Sequence, residues 1–189
     1  MSERSILAVE LCMRLDPAIQ NYLRQLITTG TEKLNFHQKW WLYDQVRRTL
    51  VSQRALWVKG CWDFFDNDTK ARSDFNMWVQ GMLTEEGARP TPSGQPDPYR
   101  GDARYMTFTA ACMMVKMTPS ERQIAAQCDI PESQLWTAAS FERVLNSFAY
   151  LNFASVEGST LYLIPRDTEY GLTDEDLRHP KFEYLRPIL

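Results

Sequence analysis

The region around residues 39–54 carries basic side chains at helical spacing. Lys39, Arg47 and Arg54 are separated by eight and seven residues, which places them on one helix face, and Arg48 is adjacent. Three tryptophans interleave with these cations: Trp40, Trp41 and Trp57. Cations that pair with phosphates and rings that stack on bases make this face a candidate site for single-stranded nucleic acid. The alternative is a solvated outer face on a helix whose tryptophans point inward, and the inward spacing of the rings favours it.

Carboxylates cluster between Asp63 and Asp68, a composition that suggests calcium binding. A calcium-binding EF-hand loop also requires a third ligand near its fifth position, a central glycine and a closing glutamate. Those positions hold Lys70, Ala71 and Met77, so the pattern fails. Helix capping explains the acidic residues, and we predict no metal site.

The sequence lacks the familiar catalytic motifs. His37 and His179 stand in no metal-binding pattern, and the four cysteines lie far apart. The chain also lacks a phosphate-cradling glycine loop and a nucleophile elbow. We therefore predict no catalytic residue and no cofactor. A carboxylate pair that the fold assembles from distant residues would leave no local trace.

The elements that must position these side chains are predicted to be helices. Asp16 and Pro17 form the N-cap and first position of one helix. Residues 5–15 are predicted to form a short helix before it, and residues 35–65 a long helix with a broad aromatic stripe. Another helix is predicted to begin near residue 68.

Two later segments have different compositions. Residues 84–102 are rich in proline and glycine, which predicts a loop. Residues 166–189 form an apolar C-terminal tail, and so many apolar side chains near one end must be buried against another apolar surface. The tail either packs back on the same chain or docks into a second subunit.

Residues 118–165 have the pattern of two helices followed by a hairpin. A capping box with a proline start opens the first helix at Thr118, and Asp129 stands in the turn, where a left-handed backbone is needed. Pro131 starts the second helix, and Glu157-Gly158-Ser159 reads as a hairpin turn. This order resembles the winged helix-turn-helix superfamily, which implies a further helix over residues 103–117.

The winged-helix resemblance raises the question of DNA binding. In that superfamily the exposed side of the second helix enters the major groove. Here that side presents Gln134 and Thr137 to bases, with Arg143 near phosphates. The predicted wing carries Glu157 and no cation, and residues 103–165 are slightly acidic. Tight DNA binding requires a strongly basic surface, so a structural or partner-docking use of the unit is favoured.

Composition describes an ordinary globular chain that is rich in rings. The 189 residues are 44% hydrophobic and 12% aromatic, with a formal net charge of −3. The sequence has no apolar run long enough for a transmembrane helix. Glu3 and Glu10 stand where a signal peptide has a basic start and an apolar run, so we predict a cytoplasmic protein without a membrane partner.

These observations predict a mainly α protein. It consists of an aromatic-rich helical bundle (1–83), a loop (84–102), a winged-helix-like unit with a small β-hairpin (103–165) and the apolar tail (166–189). The leading hypothesis is a non-catalytic interaction module, an accessory subunit or adaptor that binds a protein partner or a second copy. The alternatives are a winged-helix DNA-binding regulator and an enzyme whose site is assembled from distant residues. The candidate residues for binding a partner or nucleic acid are Lys39, Arg47, Arg48, Arg54, Gln134, Thr137 and Arg143.

Overall fold

Five antiparallel strands form one sheet, and helices cover both of its faces. The computed structural model describes residues 3–83, 101–166 and 170–189. The main elements in chain order are β1 (Arg4–Arg14), α1 (Pro17–Ile27), α2 (Phe36–Ser52), β2 (Trp57–Phe65), α3 (Asp68–Leu83), β3 (Tyr105–Val115), α4 (Pro119–Cys128), α5 (Ala138–Ser147), β4 (Val156–Ile164) and β5 (Arg186–Pro187). The strand order is β4-β3-β1-β2-β5, so β1 is central.

The predicted mainly helical fold class is wrong, because two of the predicted helices are the strands β1 and β3 of a five-stranded sheet. Every residue from Ser5 to Met13 in β1 is buried, and β3 is buried along most of its length. A strand that is covered on both faces shows consecutive apolar residues instead of the alternation that reveals a half-buried strand. Residues 5–15 and 103–117 therefore looked like helices, although they are the two longest strands of the sheet.

The predicted helix over residues 35–65 is also wrong in its second half. Helix α2 ends at Ser52, and β2 begins at Trp57 after a single 3-10 turn. Opposite Val9 and Leu7 of β1 stand Trp62 and Phe64, which contact the main core, while Phe65 packs on the other face. Rings on both faces of the strand reproduced the spacing of a broad helical stripe.

The winged-helix-like unit differs from its predicted form. Helix α4 begins as predicted, with Thr118 Oγ1 accepting from the Glu121 amide at 3.2 Å. The predicted second helix is a 3-10 turn at Glu132–Gln134 followed by α5, and the predicted hairpin is the single strand β4 paired with β3. The packing of Gly158 explains this error, because a Cβ there would lie 2.8 Å from the Phe75 ring. This glycine permits close packing in a strand and does not form a turn.

Alternate residues of β1 define the two faces of the sheet. Leu7, Val9 and Leu11 point to the four-helix face, where α1, α2, α4 and α5 pack in the main core. Ala8, Glu10 and Cys12 point to the opposite face, which we call the Glu10 face. Helix α3 and the C-terminal segment cover the Glu10 face, where two apolar clusters separate from the main core pack against β1.

The C-terminal tail packs on the same chain. Strand β5 pairs with β2, the Leu189 amide donates to the Trp136 carbonyl at 2.9 Å, and the Ala138 amide donates to the Leu189 carbonyl at 2.8 Å. Most of the predicted loop over residues 84–102 lies outside the described residues. Within the described part of the chain, none of the helices has the length and hydropathy required to span a bilayer.

Candidate functional site

Glu10 is a carboxyl group buried in the central strand. Its side chain stands on the Glu10 face and leaves only 3% of the residue exposed to solvent. The residue opposite it on β3 is Thr109, and the residue opposite it on β2 is Cys61. Asp63 follows two residues later on β2, on the same face. Three neighbouring strands thus place polar groups close together by sheet register alone.

Hydroxyl groups surround the Glu10 carboxyl. The Tyr184 hydroxyl donates a hydrogen bond to Glu10 Oε2. The hydroxyls of Thr109 and Thr107 stand beside the same carboxyl and lower its pKa. Among the described residues, the buried Thr107 Oγ1 has no hydrogen-bond partner. The protein therefore supplies hydrogen-bond donors to Glu10 and leaves the carboxyl as an acceptor.

Burial controls the protonation of Glu10. Removal from water raises the pKa of its carboxyl above the ordinary value of 4.5, and this effect exceeds all opposing ones. The hydroxyls of Tyr184, Thr109 and Thr107 lower the pKa, and the charge of Lys181 lowers it least. Ionisation of Glu10 consequently costs free energy in the folded chain.

A cavity of about 340 Å³ opens above Glu10. The strands β1, β2 and β3 supply its floor with Glu10, Cys61, Asp63 and Thr109. Its walls come from α3 (Met77, Trp78), β4 (Tyr162, Ile164) and the C-terminal segment (Lys181, Tyr184). We call this space the Glu10 cavity.

Aromatic rings shape the walls of the Glu10 cavity. Trp78 and Tyr184 pack edge to face, with ring centroids 6.1 Å apart and an interplanar angle of 76°. Because Tyr184 also binds Glu10, this contact fixes the position of one hydroxyl donor relative to α3. The walls are thus held by contacts between elements that are distant in sequence.

Asp63 adds a second carboxyl to the cavity. Burial is the largest influence and raises its pKa above the ordinary 3.8. A hydrogen bond from Trp78 opposes that shift, while the charge of Asp74 raises the pKa further and that of Lys70 lowers it. Two carboxyls with raised pKa values in one cleft are typical of functional sites.

Cys61 does not supply a nucleophile to the cavity. Burial raises the pKa of its thiol to about 12, with a smaller contribution from the charge of Asp63. The reactive form of cysteine is the thiolate, and this thiol stays protonated at neutral pH. Cys61 therefore contributes shape and apolar surface to the floor.

The predicted basic face is engaged within the chain. Arg47 donates to Asp44 at 2.6 Å and to Asn146 Oδ1 of α5 at 2.7 Å, and Arg48 donates to Asp44 at 2.7 Å. Arg54 pairs with Glu142 of α5 at 2.6 Å. The contacts to Asn146 and Glu142 join α2 and the turn after it to α5, and the contacts to Asp44 lie within α2. They favour the structural alternative over the nucleic-acid hypothesis.

The other candidates also lie away from the cavity. Arg143 donates to the Ala126 carbonyl at 2.7 Å, and Thr137 caps α5 by accepting from the Ser140 amide at 3.2 Å. Gln134 is exposed in the 3-10 turn, and Lys39 is half-buried on α2. The described lining of the Glu10 cavity contains none of the seven predicted residues.

Sequence reasoning missed the residues of the cavity. One signal was present, because Glu10 is a single charged residue inside the apolar run from Ile6 to Met13. The sequence patterns considered above relate Glu10 only to a signal peptide and Asp63 only to calcium binding. Tyr184 carried no signal, since its role depends on the fold of the tail.

The role of the Glu10 cavity has to be inferred from its own geometry and chemistry. The chain matches no protein-family model, no curated protein and no solved structure.

Proposed function

We propose that the protein binds a small, largely apolar molecule in the Glu10 cavity, with a polar group of that molecule at the Glu10 carboxyl. The observation that carries this proposal is the burial of Glu10 at the floor of a cavity. An apolar side chain in the central strand would avoid the cost of burying an acid. A carboxyl retained there at a cost to stability is typical of a functional position.

The size and lining of the cavity support the same proposal. Small-molecule sites are concave, occupy about 300–1,000 Å³, and combine apolar walls with a few polar groups that orient the ligand. The Glu10 cavity has this composition, with Trp78, Tyr162 and Ile164 as walls and Glu10 and Asp63 at the floor. Strands hold side chains more precisely than loops do, which favours selective binding.

A cavity-filling variant tests the proposal. We expect members of a fragment set, each with an apolar ring and one polar group, to bind the full chain in ligand-observed NMR. In Cys61→Phe the new ring occupies the floor of the Glu10 cavity, so the affinity of these fragments falls at least tenfold. Tyr22→Phe, a change on the surface of α1, is the control and leaves affinity unchanged. Circular dichroism verifies that both variants fold.

Two results would overturn the proposal. One is equal fragment affinity for the wild type and Cys61→Phe, which places binding elsewhere on the molecule. The other is a complete absence of fragment binding to the wild type. In either case the buried carboxyl would need another explanation.

A protein-interaction role is the second candidate, and exposed rings favour it. Phe36 is 60% and Trp41 is 51% exposed on the first turns of α2. Large exposed rings are enriched at interfaces, and a second copy of the chain is the simplest partner. We expect a dimer in sedimentation velocity that the double variant Phe36→Ser, Trp41→Ser converts to monomer. A monomeric wild type at all concentrations would refute self-association.

The DNA-binding alternative has less support. Arg47, Arg54 and Arg143 donate to acceptors in the same chain, so their cations are not freely available to phosphates. The predicted wing is a strand that pairs with β3. Winged-helix DNA binding therefore remains a prediction from the sequence.

A further inference from the structure

The described lining of the Glu10 cavity contains more acidic than basic side chains. Its described lining contains two carboxyls, Glu10 and Asp63, and one ammonium, that of Lys181. The charge of Lys181 lowers the pKa of Glu10 less than the nearby hydroxyls do. A ligand that carries a positive group would bring a further cation to the two carboxyls.

The hydrogen bonds at Glu10 also favour a donating ligand. A carboxylate offers about four acceptor positions, and the Tyr184 hydroxyl fills one of them. The Tyr184, Thr109 and Thr107 hydroxyls lower the pKa of Glu10 and so favour the ionised form that attracts a cation, against the larger opposing effect of burial. A group with several N–H donors, such as an ammonium, matches the remaining acceptor positions.

Rings in the walls supply a further attraction for a cation. Trp78, Tyr162 and Tyr184 line the space above the carboxyls, and a ring face attracts a positive charge within about 6 Å. The same sheet face already shows such a contact, because Lys70 Nζ lies 3.4 Å from the centroid of the Phe65 ring. Rings on this side of the protein thus accept an ammonium.

We infer that the ligand of the Glu10 cavity is an organic cation with an apolar body and one protonated amine, whose nitrogen lies at the carboxyls of Glu10 and Asp63. The inference rests on the proposed function, because it names the chemical class of the molecule that the cavity binds. Carboxylates and phosphates are excluded as ligand head groups by repulsion from two acidic side chains. Neutral alcohols of the same shape bind more weakly because they leave the charges unpaired.

A matched set of three probes tests the inference. Tryptamine, 2-(indol-3-yl)ethanol and indole-3-propionate share one ring and differ mainly in the charge of the side-chain end group. At pH 7 we expect calorimetry on the full chain to show tryptamine binding at least tenfold more tightly than the alcohol. No binding is expected for the carboxylate. Phenylethylamine and phenylethanol repeat the comparison with a smaller ring.

Variants assign the preference to the two carboxyls. Glu10→Gln and Asp63→Asn keep the shape of each side chain and remove its charge, so each lowers tryptamine affinity at least tenfold. In both variants the affinity for the alcohol changes by less than about twofold, because binding of the alcohol does not depend on a charge. Glu183→Gln, an exposed change beside Tyr184, is the control and leaves both affinities unchanged.

The possible results separate this inference from the proposed function. Equal affinity of the wild type for amine and alcohol, or preferred binding of the carboxylate, overturns the inference that the ligand is a cation. The proposal that the cavity binds a small molecule then still stands. An amine preference that survives in both Glu10→Gln and Asp63→Asn also overturns it. Absence of binding by every probe and by the fragment set overturns both proposals.

Discussion

Glu10→Gln is expected to stabilise the protein by about 1–3 kcal/mol at pH 8, because it removes a buried charge and keeps an acceptor for Tyr184. The gain is expected to shrink as the pH falls towards 4.5, because the unfolded chain is then less ionised. Urea unfolding of the wild type and the variant between pH 4.5 and 8.5 measures this difference. A functional residue that lowers stability is the signature of a site kept for binding.

The direction of the pH effect follows from the raised pKa of Glu10. Well below the ordinary value of 4.5, the carboxyl is protonated in both the folded and the unfolded chain and costs nothing. As the pH rises from 4.5 through the raised folded value, the unfolded chain ionises first, so the wild type loses stability. The glutamine variant lacks this group, and its stability curve diverges upward from that of the wild type.

The control for this prediction is Glu183→Gln, which makes the same chemical change at an exposed position. We expect its stability to follow the wild type at every pH. Parallel curves for the wild type and Glu10→Gln would contradict the prediction. They would show that Glu10 pays no cost for ionisation and that its pKa is ordinary.

Arg47→Ala is expected to lower the free energy of unfolding by about 3 kcal/mol. The change removes the less exposed of the two arginines that pair with the buried Asp44 carboxylate. It also breaks the hydrogen bond from α2 to Asn146 on α5. Although burial raises the pKa of Asp44, hydrogen bonds from Arg47 and Arg48 outweigh it and lower the pKa, so this carboxylate is ionised at neutral pH. Urea unfolding at pH 7 measures the loss.

Arg48→Ala is the matched control, because Arg48 donates to the same carboxylate from an exposed position. Its side chain is 66% exposed, so we expect a loss below about 1 kcal/mol. Equal and small losses for both variants would contradict the structural role of Arg47. The basic face would then regain its interpretation as a binding surface.

Helix starts were predictable from the sequence because capping is local. Asp16 accepts from the amides of Ala18 and Ile19, and Asn35 and Thr118 cap α2 and α4. These side chains contact backbone atoms two or three residues away, so the pattern is visible in a short window. The starts of α1 and α4, which were predicted from their caps, are confirmed for this reason.

The sheet was not predictable in the same way. The apolar run of β1 has no alternation, since Leu7 and Ala8 point to different clusters that are both apolar. Only pairing with β2 and β3, which are distant in sequence, decides that this run is a strand. The winged-helix resemblance also biased the interpretation of residues 103–117, because that fold requires a helix there.

The candidate site depends on long-range register, which the sequence does not display. Glu10 meets Thr109 and Cys61 only after three strands align, and it meets Tyr184 only after the tail folds onto the sheet. A charged residue inside an apolar run was the one local clue. Such a residue is costly in the core of any fold class, so it indicates a functional position without knowledge of the fold.

Titration of the Glu10 carboxyl tests the central claim most directly. Carbon-13 labelling of glutamate followed by NMR gives the pKa of each carboxyl, and the Glu10→Gln variant identifies the Glu10 resonance by its disappearance. We expect the wild-type pKa of Glu10 to lie above 4.5 and to fall when tryptamine is added, since a bound cation favours the carboxylate. An ordinary pKa that tryptamine leaves unchanged would contradict a cation-binding site at Glu10.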